Sequence, residues 1–234
     1  MNSKREINGR GNATFLKNFV VLFLIMPAIC QATTITIGFA GVVDDVDDPC
    51  NLLGGGLQQN TSISGSYIYD SETPGLIEGT TTARAYWHSV APYGITLEIG
   101  NLTFQTDSAN VKFLINIGDN LESGGGDRYL IQSYNNLNIN NDVIVDTFFW
   151  QLDDYSGNAI SSTDLPDSPP DLTAWQSGNN LHISGGRGGI PPCFDELFRI
   201  NGHITDVWIV PEPTTLLLFS LSALLLRKRA KNIS

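Results

Sequence analysis

A chain of 234 residues with 24 acidic and 13 basic side chains carries a net charge of −11 and allows one ordinary domain plus accessory segments. Eight of the basic residues precede Thr33 or follow Val210, so Thr33–Val210 holds 22 acids against Arg84, Lys112, Arg128, Arg187 and Arg199, a net of −17. A field of that sign repels nucleic acid and anionic membrane, which excludes a nucleic-acid partner, and it favours solubility or divalent cations.

The first element is an apolar run, Phe15 to Ala32, behind a basic stretch carrying Lys4, Arg5, Arg10 and Lys17. Its apolar centre, Phe19–Met26, is too short to span a bilayer. Pro27 follows, and Cys30-Gln31-Ala32 offers small residues where a signal-peptide cleavage site needs them. Residues 1–32 therefore read as an export signal, cleaved near Ala32–Thr33. Ile29 argues against a lipidated cysteine, which wants a small residue before it. Once Cys30 is removed, Cys50 and Cys193 remain, and an even pair in an oxidising compartment predicts one disulfide, the alternative being two unrelated thiols. Closing a loop of nearly the whole domain would stabilise it by roughly 5 kcal/mol on the chain-entropy account.

From Thr33 the apolar period is two. "TITIGFAGVV" places Ile35, Ile37 and Phe39 on one face, and "SISGSYIYD" places Ile63, Tyr67 and Tyr69. Further short β-branched or aromatic runs are "TTARAYWHSV", "YGITLEIG", "NLTFQ", "VKFLINI", "DRYLIQS", "VIVDTFFWQL", "NLHIS" and "ITDVWIV". Strong breakers separate them: "DDPCNLLGGG", "SETPG", "ESGGGD", "DLPDSPPDL" and "GGRGGIPP". "PPCFDELFRI" has room for a single helical turn. Some ten short strands with turns between them predict an all-β fold: one antiparallel β-sandwich or jelly-roll-like domain over 33–209.

Pro211-Glu212-Pro213 stops the last strand, since neither proline donates a ladder hydrogen bond. Thr214–Leu226 is apolar except for hydroxyls. As a helix its 13 residues would reach about 20 Å, short of a hydrocarbon core of roughly 30 Å. Arg227, Lys228, Arg229 and Lys231 follow where a stop-transfer segment carries its cytoplasmic charge, which puts the body outside. The order of Pro-Glu-Pro, apolar helix and basic end, over 210–231, resembles the PEP-CTERM sorting signal. The resemblance implies a bacterial protein that is exported and held transiently at the inner membrane. It implies processing by an exosortase-type membrane transpeptidase and delivery to the cell surface or to an exopolysaccharide or biofilm matrix. On that resemblance Pro211, Glu212 and Pro213 are the sorting motif, Thr214–Leu226 the anchor, and Arg227, Lys228 and Arg229 the retention charges.

Chemistry in the body is sparse. His88, His182 and His203 stand in separate strand-like runs, with no H-E-x-x-H, G-x-S-x-G or C-x-x-C to organise them, and Ser64 lacks a nucleophile-elbow context. The expectation is a protein without catalytic activity or a required cofactor. Asp44–Asp48 and Gly118–Asp127 gather oxygen ligands in turns, the chemistry calcium takes. Neither matches an EF-hand loop, so both read first as solvated acidic turns. The second functional reading is a carbohydrate-binding module, calcium-assisted, with exopolysaccharide as partner. It would use exposed tryptophan, and of Trp87, Trp150, Trp175 and Trp208 only Trp175, in "DLTAWQSGNN", is expected outside a strand.

Overall fold

Alternating residues become strand when one of their two faces can be buried, and here the burial follows the alternation closely. In the computed structural model, which describes residues 34–78, 82–121, 126–139, 143–187 and 196–211, eleven strands run antiparallel. They are β1 (Thr34–Asp47), β2 (Ser62–Asp70), β3 (Leu76–Ile77), β4 (Ala83–His88), β5 (Gly94–Ile99), β6 (Leu102–Gln105), β7 (Phe113–Gly118), β8 (Asp127–Ser133), β9 (Ile144–Asp154), β10 (Gly178–Arg187) and β11 (Glu196–Ile209). On β2, Ile63, Tyr67 and Tyr69 are at most 1% exposed while Ser62 and Ser64 face water. On β8, Tyr129 and Ile131 are buried between half-buried Arg128, Leu130 and Gln132. A 3-10 turn, Leu172–Ala174, is capped by the Asp171 carboxylate, which accepts from the Thr173 N–H at 3.0 Å.

All eleven strands belong to one continuous sheet, in the order β3-β4-β7-β8-β9-β10-β11-β1-β2-β5-β6. The sheet folds over on itself to give its sandwich-like core. Four strands lie between β2 and β8 in that order, yet the Tyr67 and Tyr129 hydroxyls meet at 3.1 Å across the interior. Trp150 of β9 packs on Phe39 of β1 with ring centroids 6.1 Å apart, and on Tyr67 at 6.3 Å. Burying a side chain of this size contributes about 2–3 kcal/mol, so this aromatic cluster dominates the cohesion between the two halves. Beyond β6 the edge is sewn to the segment leaving β8. The Asp107 N–H donates to the Asn135 carbonyl at 2.9 Å, the Leu137 N–H to the Gln105 carbonyl at 2.8 Å, and the Thr106 and Ser133 hydroxyls meet at 2.9 Å. Such pairing removes an open sheet edge, and the opposite edge, β3, is only two residues long.

Two expectations need correction. "ELFRI", read as part of a possible helical turn, is the start of β11. Phe198 and Ile200 turn inward while Leu197 and Arg199 turn out, a period of two that no helix satisfies. β1 also runs further than its apolar stretch, into Asp44–Asp47. Two irregularities against β11, at Ala40/Gly41 and Val43/Asp45, reset its register as it leaves the core. Residues 1–32 and the apolar run after Pro213 lie outside the described residues. Among the described residues no helix is long and apolar enough to cross a membrane.

Candidate functional site

β11 is the last strand along the chain and lies between β10 and β1, and its last rung is a hydrogen bond from the Val210 N–H to the Thr36 carbonyl at 2.9 Å. Pro211 follows, exposed and without an N–H to offer, so the ladder stops there. Trp208, Ile209 and Val210 leading up to it are all exposed. Glu212, Pro213, Arg227, Lys228 and Arg229 lie outside the described residues. So does Cys193, which leaves the predicted Cys50–Cys193 bridge without a geometry. Cys50 itself is half-buried in the turn after β1 and packs against the core.

The acidic turns are built into the fold rather than gathered around a common point. Asp48 accepts from the N–H groups of Leu52 and Leu53 at 2.7 and 2.8 Å, closing its own turn. Asp44 meets His203 Nδ1 at 2.9 Å on the surface. Asp127 and Asp154 face each other at the ends of β8 and β9, each about 2% exposed, and both act as backbone clamps. Asp127 holds the N–H groups of Asn120 (3.0 Å) and Ile160 (2.9 Å), and Asp154 holds those of Ser156 (3.1 Å) and Asn158 (2.9 Å). Hydrogen bonds from Ser156 and Asn158 keep the Asp154 carboxyl below the usual carboxylate range. Among the described residues no three His, Cys, Asp or Glu side chains converge as metal ligands would.

The three histidines sit apart. His88 is 3% exposed, against Tyr69, Tyr93 and Phe113, and its Nε2 accepts from the Asp70 N–H at 3.1 Å. Burial pushes its pKa below the ordinary value, so it is a neutral core residue. His182, on the outer face of β10, stacks on Phe149 and pairs through Nδ1 with Asn201 Oδ1 at 2.8 Å. Beside it an open groove of about 450 Å³ is lined by Asp47, Asp146, His182, Leu197, Arg199 and Asn201. This groove escaped sequence reasoning, because its residues come from four strands and share only their outward parity. Ser64 is an ordinary exposed strand residue opposite Glu98.

Two of the four tryptophans, Trp175 and Trp208, reverse the expectation. Trp175 is 6% exposed, tucked over Tyr129 at 6.4 Å by the turn that Asp171 caps, and Trp150 lies in the core. Trp87 is half-buried against Tyr134, and the Lys112 ammonium sits 4.8 Å from the Tyr134 ring centre. Trp208, placed in a strand and so expected inside, is 45% exposed. It faces away from the core opposite Gly38, where a Cβ would overlap its indole ring. Glycine at 38 thus makes the seat on which the ring lies. No protein-family model, no curated protein and no solved structure matches this chain.

Proposed function

We propose that this chain is an exported, non-catalytic cell-surface or extracellular-matrix protein. Its β-sandwich-like body is the cargo, 1–32 the export signal and 210–231 a sorting and anchoring segment for an exosortase-type membrane transpeptidase. The observation that carries this reading is the sequence order at the end of β11. Pro211-Glu212-Pro213 follows the last ladder bond at once in sequence, then an apolar run, then Arg227-Lys228-Arg229. Neither proline can donate a ladder hydrogen bond, which suits a stretch meant for an enzyme working at the membrane surface. The test compares intact mass and fractionation of the protein from its native cells with a variant carrying Pro211→Ala, Glu212→Ala and Pro213→Ala. Loss of the tail is expected in the wild type and its retention, membrane-bound, in the variant. A full-length wild type embedded in the membrane would sink the processing step.

The groove beside His182 favours a second reading, a carbohydrate-binding module that attaches exopolysaccharide. Asn201, Arg199 and His182 present donors next to the Asp47 and Asp146 carboxylates, with Leu197 as an apolar floor. Sugars are bound by such mixed polar and apolar fields. On this reading Asn201→Ala abolishes retention on a column of the native polysaccharide, and Ser64→Ala, on β2 and outside the groove lining, leaves it unchanged. Equal retention of both variants, or none by the wild type, removes the reading.

A further inference from the structure

His88, the last residue of β4, joins the two halves of the sandwich. Six strands lie between β4 and β2 in the sheet, yet its Nε2 accepts from the Asp70 N–H of β2 at 3.1 Å, so the bond closes across the interior. At this end the chain crosses between the halves in 71–75, from β2 to β3, and in 89–93, from β4 to β5. His88 touches both crossings. The Thr73 hydroxyl of the first lies 3.1 Å from Nε2, and the Tyr93 ring of the second meets the imidazole edge-on at 5.1 Å. Tyr69 and Phe113, both fully buried, pack on its other sides. An imidazole nitrogen that accepts from a backbone N–H holds no proton, so the proton of the neutral ring is on Nδ1. Nδ1 is itself buried, with no hydrogen-bond partner among the described residues.

We infer that His88 is an acid-sensitive pin, whose protonation releases both crossings and loosens this end of the sandwich. A second proton has to go to Nε2, where it turns the acceptor into a donor that faces the Asp70 N–H. The Thr73 hydroxyl can rotate to accept it, but the Asp70 N–H is then left pointing at a proton. The new charge also spreads to an Nδ1 that has no acceptor. The surroundings give that charge little support. Tyr69 of β2 and Tyr93 of the second crossing bring phenols rather than carboxylates, and β7 brings Phe113. Asp70 brings a carboxylate, but it is engaged by the Glu72 N–H at 3.0 Å, and Glu72 is itself exposed. Burial accordingly pushes the His88 pKa below its ordinary value. A histidine depressed in this way contributes stability that is present above the unfolded value of about 6.5 and is lost as the pH falls below it. Opening this end of the sandwich restores the ordinary pKa, so acid favours the open form by up to about tenfold per pH unit. At pH 5 carboxylates of ordinary pKa are still ionised, so the pin is released there without general acid unfolding.

The test follows the isotope-labelled full chain and its His88→Gln variant by NMR between pH 7.5 and pH 5, since glutamine keeps an acceptor there that does not titrate. In the wild type the His88 ring is expected to carry its proton on Nδ1 at pH 7.5 and to titrate below pH 6.5. As it does so, the hydrogen-exchange protection of the Asp70 and Thr73 amides should fall roughly tenfold by pH 5, while that of β9 and β10 holds. His88→Gln should show no such fall, although His182 and His203 are still present in it. A ring that stays neutral at pH 5, or that carries its proton on Nε2 at pH 7.5, overturns the inference. So does a ring that titrates while Asp70 and Thr73 keep their protection, and so does an equal fall in the variant. If His88→Gln does not fold, the wild type alone decides, because a fall shared by β9 and β10 would be global unfolding and would overturn the pin.

Discussion

Replacing Asn179 with alanine is expected to lower stability by about 3 kcal/mol, which in a domain of this size is a fall of roughly 6–12 °C in Tm. β11 outruns β10, so beyond Gly202 the β10–β11 pairing ends and Ile204 has no backbone partner on that strand. The Asn179 amide takes its place. Its Nδ2 donates to the Ile204 carbonyl at 2.6 Å, and its Oδ1 accepts from the Ile204 N–H at 3.2 Å and from Trp150 Nε1 at 3.0 Å. Ile204 and Trp150 are each 1% exposed, so truncation leaves buried donors and an acceptor that water reaches poorly. Trp150→Phe removes one of those donors, and the two substitutions should therefore cost less together than the sum of each alone. Asn158→Ala, at an exposed turn, should stay within about 0.5 kcal/mol. Urea midpoints for the wild type and the four variants decide the matter. Full additivity of Asn179→Ala with Trp150→Phe would show that the indole bond contributes nothing.

That amide illustrates what could be read from the sequence and what could not. β2 and β8 coincide with runs picked out by alternation alone, because a face of Ile63, Tyr67 and Tyr69, or of Tyr129 and Ile131, has only one sensible direction. Asn179 gives no such signal. It repairs a ladder whose need exists only once β11 has outgrown β10. Asp127 and Asp154 were equally hidden, since a carboxylate clamping two backbone N–H groups has the same local sequence as a solvated one. Trp175 and Trp208 show the limit from the other side. Strand or loop context predicts burial only when the strand lies wholly under its neighbour, and the end of β11 does not. The edge closure past β6 depends on Thr106, Ser133 and Asn135, three polar residues with no periodicity between them. The stretch from Pro211 to Lys231 is the opposite case, because the reading proposed for it comes from linear order alone and uses no fold.

Raising the pH above 10 is expected to unfold the protein cooperatively, with most of the transition between about pH 11 and 13. Tyr67, Tyr69 and Tyr129 are 0–2% exposed, and burial pushes all three hydroxyls well above their ordinary pKa, the Tyr67–Tyr129 repulsion adding to the shift at Tyr67. The sign follows from where the protons sit. In the unfolded chain these phenols ionise near pH 10 while the folded state keeps them neutral, so stability is fully present below pH 10 and is lost as pH rises beyond it. Each group removes at most about 1.4 kcal/mol per pH unit, and three together about 4, against a total stability of roughly 5–15 kcal/mol. The share of the tyrosinate absorbance that Tyr67, Tyr69 and Tyr129 contribute should therefore rise in one steep step that coincides with loss of the β-sheet circular dichroism. Near neutral pH, Tyr67→Phe should cost about 1–2 kcal/mol, because it strands the Tyr129 hydroxyl in the core. Adding Tyr129→Phe should restore most of that loss, both partners then being apolar. In the double variant only Tyr69 of the three still opposes alkali, which moves the unfolding midpoint upward. A gradual titration centred at pH 10, with the circular dichroism intact, would mean that water already reaches these hydroxyls and that the aromatic core is looser than the packing of Phe39, Tyr67 and Trp150 requires.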